Sequence, residues 1–262
     1  MQSMLKKILA TSIATLSLVA SLGAYPLGLD VIGPIQSSGS DAQAQAYNSF
    51  APTIDSYIGN VNGVFNPQDS ATTQIVADPS NVLSNSDATV RIYWVNNSAA
   101  YQNTIGFSPT ATISQSTASV VLPNASITGT VIVDPNDPNG PYAGLVAGQF
   151  VDLGLQTQGT PFELFLAADA GNGPDKGVFW ADASLNSDGI DHLKMVHFLG
   201  TNYYLIGWED LPLSVSDLDY NDVFIVAEII SVPEPMTYVI FAALAAVVLF
   251  ASRKKALKVT NK

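Results

Sequence analysis

The chain has no cysteine among its 262 residues. This removes disulfides, thiol nucleophiles and every metal centre built on thiolate. Two histidines, His192 and His197, allow no three-imidazole metal site and offer only two imidazole bases. Charged residues make up 12% of the chain against 47% hydrophobic ones, a low figure for an ordinary cytosolic enzyme. Positive charge is scarcest of all. Of ten Lys and Arg, only Arg91, Lys176 and Lys194 lie between Lys7 and Arg253. Nucleic acid is therefore excluded as a ligand, because phosphates call for clustered Lys and Arg. Neither a Gly-rich phosphate loop nor a Gly-x-Ser-x-Gly nucleophile elbow is present, and no segment repeats at a fixed period.

What charge there is falls into three blocks. All 22 acids lie between Asp30 and Glu234, whereas seven of the ten bases sit at the two ends. Residues 1–24 have the build of a signal peptide. Lys6 and Lys7 precede a short apolar stretch from Ile8 to Ala20, and the small residues Ser21 and Gly23 precede a cleavage point after Gly23 or Ala24. At the other end, Met236 to Ser252 carry no charge, and Arg253, Lys254 and Lys255 follow at once. Seventeen helical residues span about 25 Å, close to the hydrocarbon core of a bilayer. The stretch 236–252 is expected to be a transmembrane helix with a cytoplasmic basic end, which puts the acidic middle outside.

Val232, Pro233, Glu234 and Pro235, then the apolar stretch, then Arg253-Lys254-Lys255, together resemble the PEP-CTERM sorting tail of Gram-negative bacteria. That resemblance covers roughly 232–256, within a tail that takes in 232–262. It implies inner-membrane anchoring, processing by an exosortase-type enzyme, delivery to the cell surface or medium, and a link to exopolysaccharide or biofilm.

The middle of the chain reads as β-structure. The runs 89–95, 127–133, 162–168, 177–181, 203–209 and 223–230 are rich in β-branched and aromatic residues. In the first, Val90, Ile92 and Trp94 alternate onto one face. Clusters of Gly, Pro, Asn and Asp separate the runs. Helical periodicity appears only from about Asp41 to Ile58, where Pro52 interrupts it. The expected fold is all-β: one antiparallel β-sandwich or jelly-roll-like domain over 47–231, entered through a flexible segment at 25–46 and flanked by the signal peptide and the transmembrane helix.

Eighteen of the 22 acids are Asp. Short carboxylates suit tight loops and can ligate a cation there. Three loops concentrate them: one around Asp169, one with Asp188 and Asp191, and one with Asp217, Asp219, Asn221 and Asp222, preceded by Glu209. Crowded carboxylates repel, at about 1 kcal/mol for a pair near 5 Å in water and several times more when partly buried. Two readings stand. A calcium ion relieves the repulsion, or the Asp and Asn side chains cap turn amides while solvent screens the charge. An EF-hand is excluded, because its sixth position would be Asp222 rather than Gly.

The order of motifs across 162–228 resembles the exported bacterial domain known as domain of unknown function 4114. Gly207-Trp-Glu-Asp-Leu211 and Asp217-x-Asp219-Tyr-Asn-Asp-Val223 carry the likeness. The resemblance implies a β-rich domain with no assigned catalysis. The expectation is therefore a non-enzymatic, calcium-stabilised surface or matrix protein. A carbohydrate-binding module using Trp94, Trp180 or Trp208 is the alternative, and a secreted hydrolase using His192 is the least supported.

Overall fold

The computed structural model describes residues 26–59, 63–83, 85–126, 144–172 and 175–232. The expected signal peptide, the strand at 127–133, and the tail beyond Val232 (Pro233, Glu234, Pro235, the apolar stretch, Arg253, Lys254 and Lys255) lie outside these residues. Among the described residues no helix is long and apolar enough to cross a membrane.

The elements in chain order are α1 (Ala42–Gly59), β1 (Thr73–Ile75), β2 (Ala88–Asn97), β3 (Thr104–Ser108), β4 (Ser119–Leu122), β5 (Phe150–Gln156), β6 (Glu163–Ala167), β7 (Val178–Trp180), β8 (Leu193–Phe198), β9 (Tyr203–Trp208) and β10 (Val223–Ser231). They form a six-stranded sheet in the order β1-β8-β9-β10-β2-β5 and a four-stranded sheet in the order β4-β3-β6-β7. All strand pairings in both sheets are antiparallel.

Side-chain alternation assigns the layers. Val90, Ile92 and Trp94 of β2 join Ile225, Ala227 and Ile229 of β10 in one cluster, which also holds Ile105 and Phe107 of β3 and Leu164 and Leu166 of β6. The two sheets therefore share this core. The opposite face of the large sheet presents Tyr93, Val95, Phe224, Val226 and Leu205, and these pack with Ala44, Tyr47 and Ile54 of α1. Burial on both faces explains why β10 reads as an apolar run broken at Glu228 rather than an alternating one.

The chain is thus mostly β rather than all-β, because one sheet face needed a cover and α1 supplies it. Asp41 starts the helix, its Oδ1 accepting the Ala44 N–H at 2.7 Å. Pro52 removes one backbone bond from the exposed side, but burial of Tyr47 and Ile54 offsets that loss. Tyr47 stacks on Tyr93 with ring centroids 3.8 Å apart. Arg91 ties the helix start to the sheet. It bonds Asp41 at 2.9 Å and Asp152 of β5 at 2.6 Å while lying over the Phe150 ring. Within the segment expected to be a flexible entry, the chain makes backbone bonds to both sheets. Ile32 donates to the Val120 carbonyl, Gln36 exchanges backbone bonds with Phe150, and α1 begins at Ala42.

Candidate metal centre

The central hairpin β9–β10 ends at Trp208 and Val223, which pair across it. Two further bonds extend the ladder: Glu209 N–H to His192 O at 2.9 Å, and Asp222 N–H to Trp208 O at 3.0 Å. Glu209 and Asp222 are therefore fixed by strand geometry rather than by a mobile loop. The connection between them folds back over β9. This is possible because residue 207 is glycine: a Cβ there would lie 2.4 Å from the Tyr220 carbonyl oxygen and 2.5 Å from the Phe65 ring. Leu218 and Tyr220 adopt left-handed φ values of 56° and 53° on either side of Asp219. Phe65 donates to the Asp219 carbonyl at 2.6 Å. Asn221 bonds Ser98 and the Gly63 carbonyl, which pins the loop to the strand end and to the segment after α1.

This folding brings carboxylate oxygens of Glu209, Asp219 and Asp222 within 4.8 Å of one another. Glu209 is fully buried, and neither of its oxygens has a hydrogen-bond partner among the described residues. The Ser216 side chain pulls its titration downward without reaching hydrogen-bond geometry. Asp219 and Asp222 are half-buried and leave one side open to solvent. No Lys or Arg forms an ion pair with any of the three among the described residues.

Electrostatics follow from this crowding. Burial raises the Glu209 carboxyl above its ordinary value, and Asp217, Asp210 and Asp219 add to the rise. Asp219 is raised by burial and by Asp217. Asp222 is pushed up to about 8, by burial first and then by the charge of Asp210. Oxygens held at up to 4.8 Å suit a cation with metal–oxygen distances of 2.3–2.6 Å, the calcium range.

The other residues named from sequence have separate partners. Asp217 is exposed and contributes charge. Asn221 serves the loop architecture described above. Asp169 pairs with Lys176 at 2.7 Å. Asp188 accepts from the Leu213 N–H and pairs with His192 at 3.0 Å. Asp191 is exposed and lends its carbonyl to the Tyr220 hydroxyl. The three Asp-rich loops thus do not converge on one ion.

His192 is fully buried, stacked on Phe179 and bonded to Asp188 rather than its neighbour Asp191. Trp94, Trp180 and Trp208 are all buried in clusters, so none offers a sugar-stacking face. Asp210 lies at the centre of the acidic network. Its carboxylate takes the Asn103 amide at 2.7 Å while its N–H donates to Asp222 at 2.8 Å. Its place in the Trp-Glu-Asp-Leu motif was the available signal, but adjacency to Glu209 did not reveal the opposite direction of its side chain.

Residues 145–229 match the family model described as Domain of unknown function (DUF4114). That span holds the whole of β5 to β9, nearly all of β10, and every residue of the carboxylate cluster. No curated protein and no solved structure matches the chain.

Proposed function

We propose that the protein is an exported, non-enzymatic surface or matrix protein whose sandwich domain, of jelly-roll-like build, is locked by calcium. The observation that carries this reading is Glu209: a fully buried carboxylate with two unpartnered oxygens, facing two other carboxylates. A buried carboxylate without a hydrogen bond or counter-ion costs several kcal/mol. A divalent ion at the triad removes that cost and joins β9, β10 and the 211–221 loop. Export and the PEP-CTERM tail are supported by the sequence alone, through the charge blocks and the 232–255 pattern. The hydrolase alternative has less support, since His192 is sealed in the core and its partners among the described residues are Asp188 and the Glu209 carbonyl.

The test is a thermal melt of the full-length protein in chelator and in millimolar calcium. Extracellular calcium modules bind at about 10⁻⁴–10⁻³ M, so millimolar calcium is expected to raise the melting temperature, and Asp219→Asn with Asp222→Asn is expected to remove the rise. An identical melt in both conditions overturns the calcium reading.

A further inference from the structure

His192 is fully buried, and both of its ring nitrogens are engaged. Nε2 lies 3.0 Å from Asp188 Oδ2, and Nδ1 lies 3.3 Å from the Glu209 carbonyl oxygen. A carbonyl can only accept, so Nδ1 is the donor. The backbone of the same pair supplies a second bond, Glu209 N–H to His192 O at 2.9 Å. One residue thus holds both backbone polar groups of Glu209.

This grip sets a direction. With N–H and C=O both held, the two soft backbone dihedrals at Glu209 are restrained, and so is the line along which its side chain leaves the strand. That line leads to Asp219 and Asp222, whose carboxylate oxygens lie within 4.8 Å of its own. A glutamate at a strand end otherwise turns to water, because an unpaired carboxylate is costly to bury. The imidazole is itself fixed. Phe179 of β7, in the other sheet, stacks on it with centroids 4.0 Å apart. Asp188 then does two things at once: the Oδ2 that meets His192 also accepts the Leu213 N–H at 3.0 Å. Leu213 begins the loop that carries Asp219. The Asp188 loop and the Asp219 loop are therefore parts of one device, the first holding and the second ligating.

We infer that His192 and Asp188 are the positioning pair of the cation site: they turn Glu209 inward and hold the 211–221 loop against it, without ligating the ion. This rests on the cation reading above.

The experiment is a calcium titration of the full-length protein by isothermal calorimetry, at a temperature where circular dichroism shows each variant folded. Affinity is then read apart from stability. His192→Phe keeps a ring against Phe179 and loses both nitrogens. His192→Gln keeps a donor near the place of Nε2 and loses the bond to Glu209, whereas His192→Asn keeps a donor near the place of Nδ1 and with it the grip on Glu209. The calcium Kd is expected to rise about 10–100-fold for His192→Phe and His192→Gln, the usual cost of losing a group that orients a metal ligand, and His192→Asn is expected to recover most of that loss. A packing role alone gives a different pattern, in which the variants melt lower in chelator while Kd stays unchanged. All three variants at the wild-type Kd overturn the positioning pair and leave the cation site standing. A loss that His192→Asn does not recover overturns it too, because the ring and not the bond would then matter. Asp188→Ala, at a partly exposed side chain, decides the question should the His192 variants not fold: a Kd raised about tenfold supports the pair, and an unchanged Kd overturns it. If the wild-type protein takes up no calcium, the cation reading falls and the positioning role falls with it.

Discussion

Replacing Glu209 with Gln keeps the shape of a buried side chain and removes its charge. In the ion-free protein the wild-type carboxylate faces Asp219 and Asp222 across no more than 4.8 Å. At an effective dielectric of about 20, an ionised pair at that distance repels by about 3 kcal/mol. Asp219 and Asp222 are half-exposed, so solvent screening reduces this to about 1–2 kcal/mol. Asp222, with its carboxyl pushed up to about 8, is largely protonated at neutral pH, so the surviving repulsion is mainly Glu209 against Asp219. E209Q in chelator is therefore expected to melt higher than wild type by about 2–8 °C. In calcium at about a hundredfold excess over Kd, wild type gains about 2.7 kcal/mol, whereas E209Q gains nothing. The two curves should cross: the variant is the more stable protein without calcium and the less stable with it. Scanning calorimetry of both proteins in both conditions reads this directly. A variant that melts well below wild type in chelator would mean that the carboxylate is already satisfied structurally. A retained calcium shift would mean that the ion sits elsewhere. Either result refutes the reasoning.

Three other outcomes follow from the same contacts. Gly207→Ala puts a Cβ against the Tyr220 carbonyl and should cost about 1–3 kcal/mol in urea unfolding and weaken the calcium shift, because the loop can no longer lie on β9. Arg91→Met removes the guanidinium that joins Asp41 to Asp152; both carboxylates are about half exposed, so the cost should be about 1–3 kcal/mol, with faster hydrogen exchange in α1 than in β9 and β10. In chelator, stability should fall as pH rises from about 5 to about 8. Asp222 at about 8 and Glu163 at about 7 bind protons in the folded state that the unfolded chain, titrating near 4, has already released, so their contribution is complete below that value and lost through the folded ones. Urea midpoints across that range check the sign, and added calcium should flatten the Asp222 part of the slope.

The strands most legible in sequence were those whose side chains obey one clear rule. Val90, Ile92 and Trp94 alternate, and 223–230 is apolar but for Glu228 because α1 covers the face a two-layer sandwich would leave wet. β8 was harder to recognise because Lys194 and His197 interrupt it: Lys194 lies over the Tyr220 ring and His197 stacks on Tyr204. β5 carries Asp152 for Arg91 and a left-handed Gly154, and β3 carries Gly106, where the Phe165 ring occupies the space of a side chain. Each departure records a contact from a distant element, which local pattern does not contain. All three carboxylates of the candidate metal centre were named from sequence, but so were five residues that do not join it: Asp217, Asn221, Asp169, Asp188 and Asp191. The density of Asp pointed to the 217–222 loop, and Glu209 joined it through the motif. Composition could not separate Asp219 and Asp222, which share a face with Glu209, from Asp188 and Asp169, which have cationic or imidazole partners of their own.

The central claim is that Glu209, Asp219 and Asp222 hold one calcium ion, and a crystal structure of the calcium-soaked protein tests it most directly. The account predicts an anomalous peak within about 2.3–2.6 Å of oxygens from all three carboxylates, with solvent filling the open side. A fully soaked crystal with only water between those carboxylates, or with calcium bound to other loops alone, would contradict it.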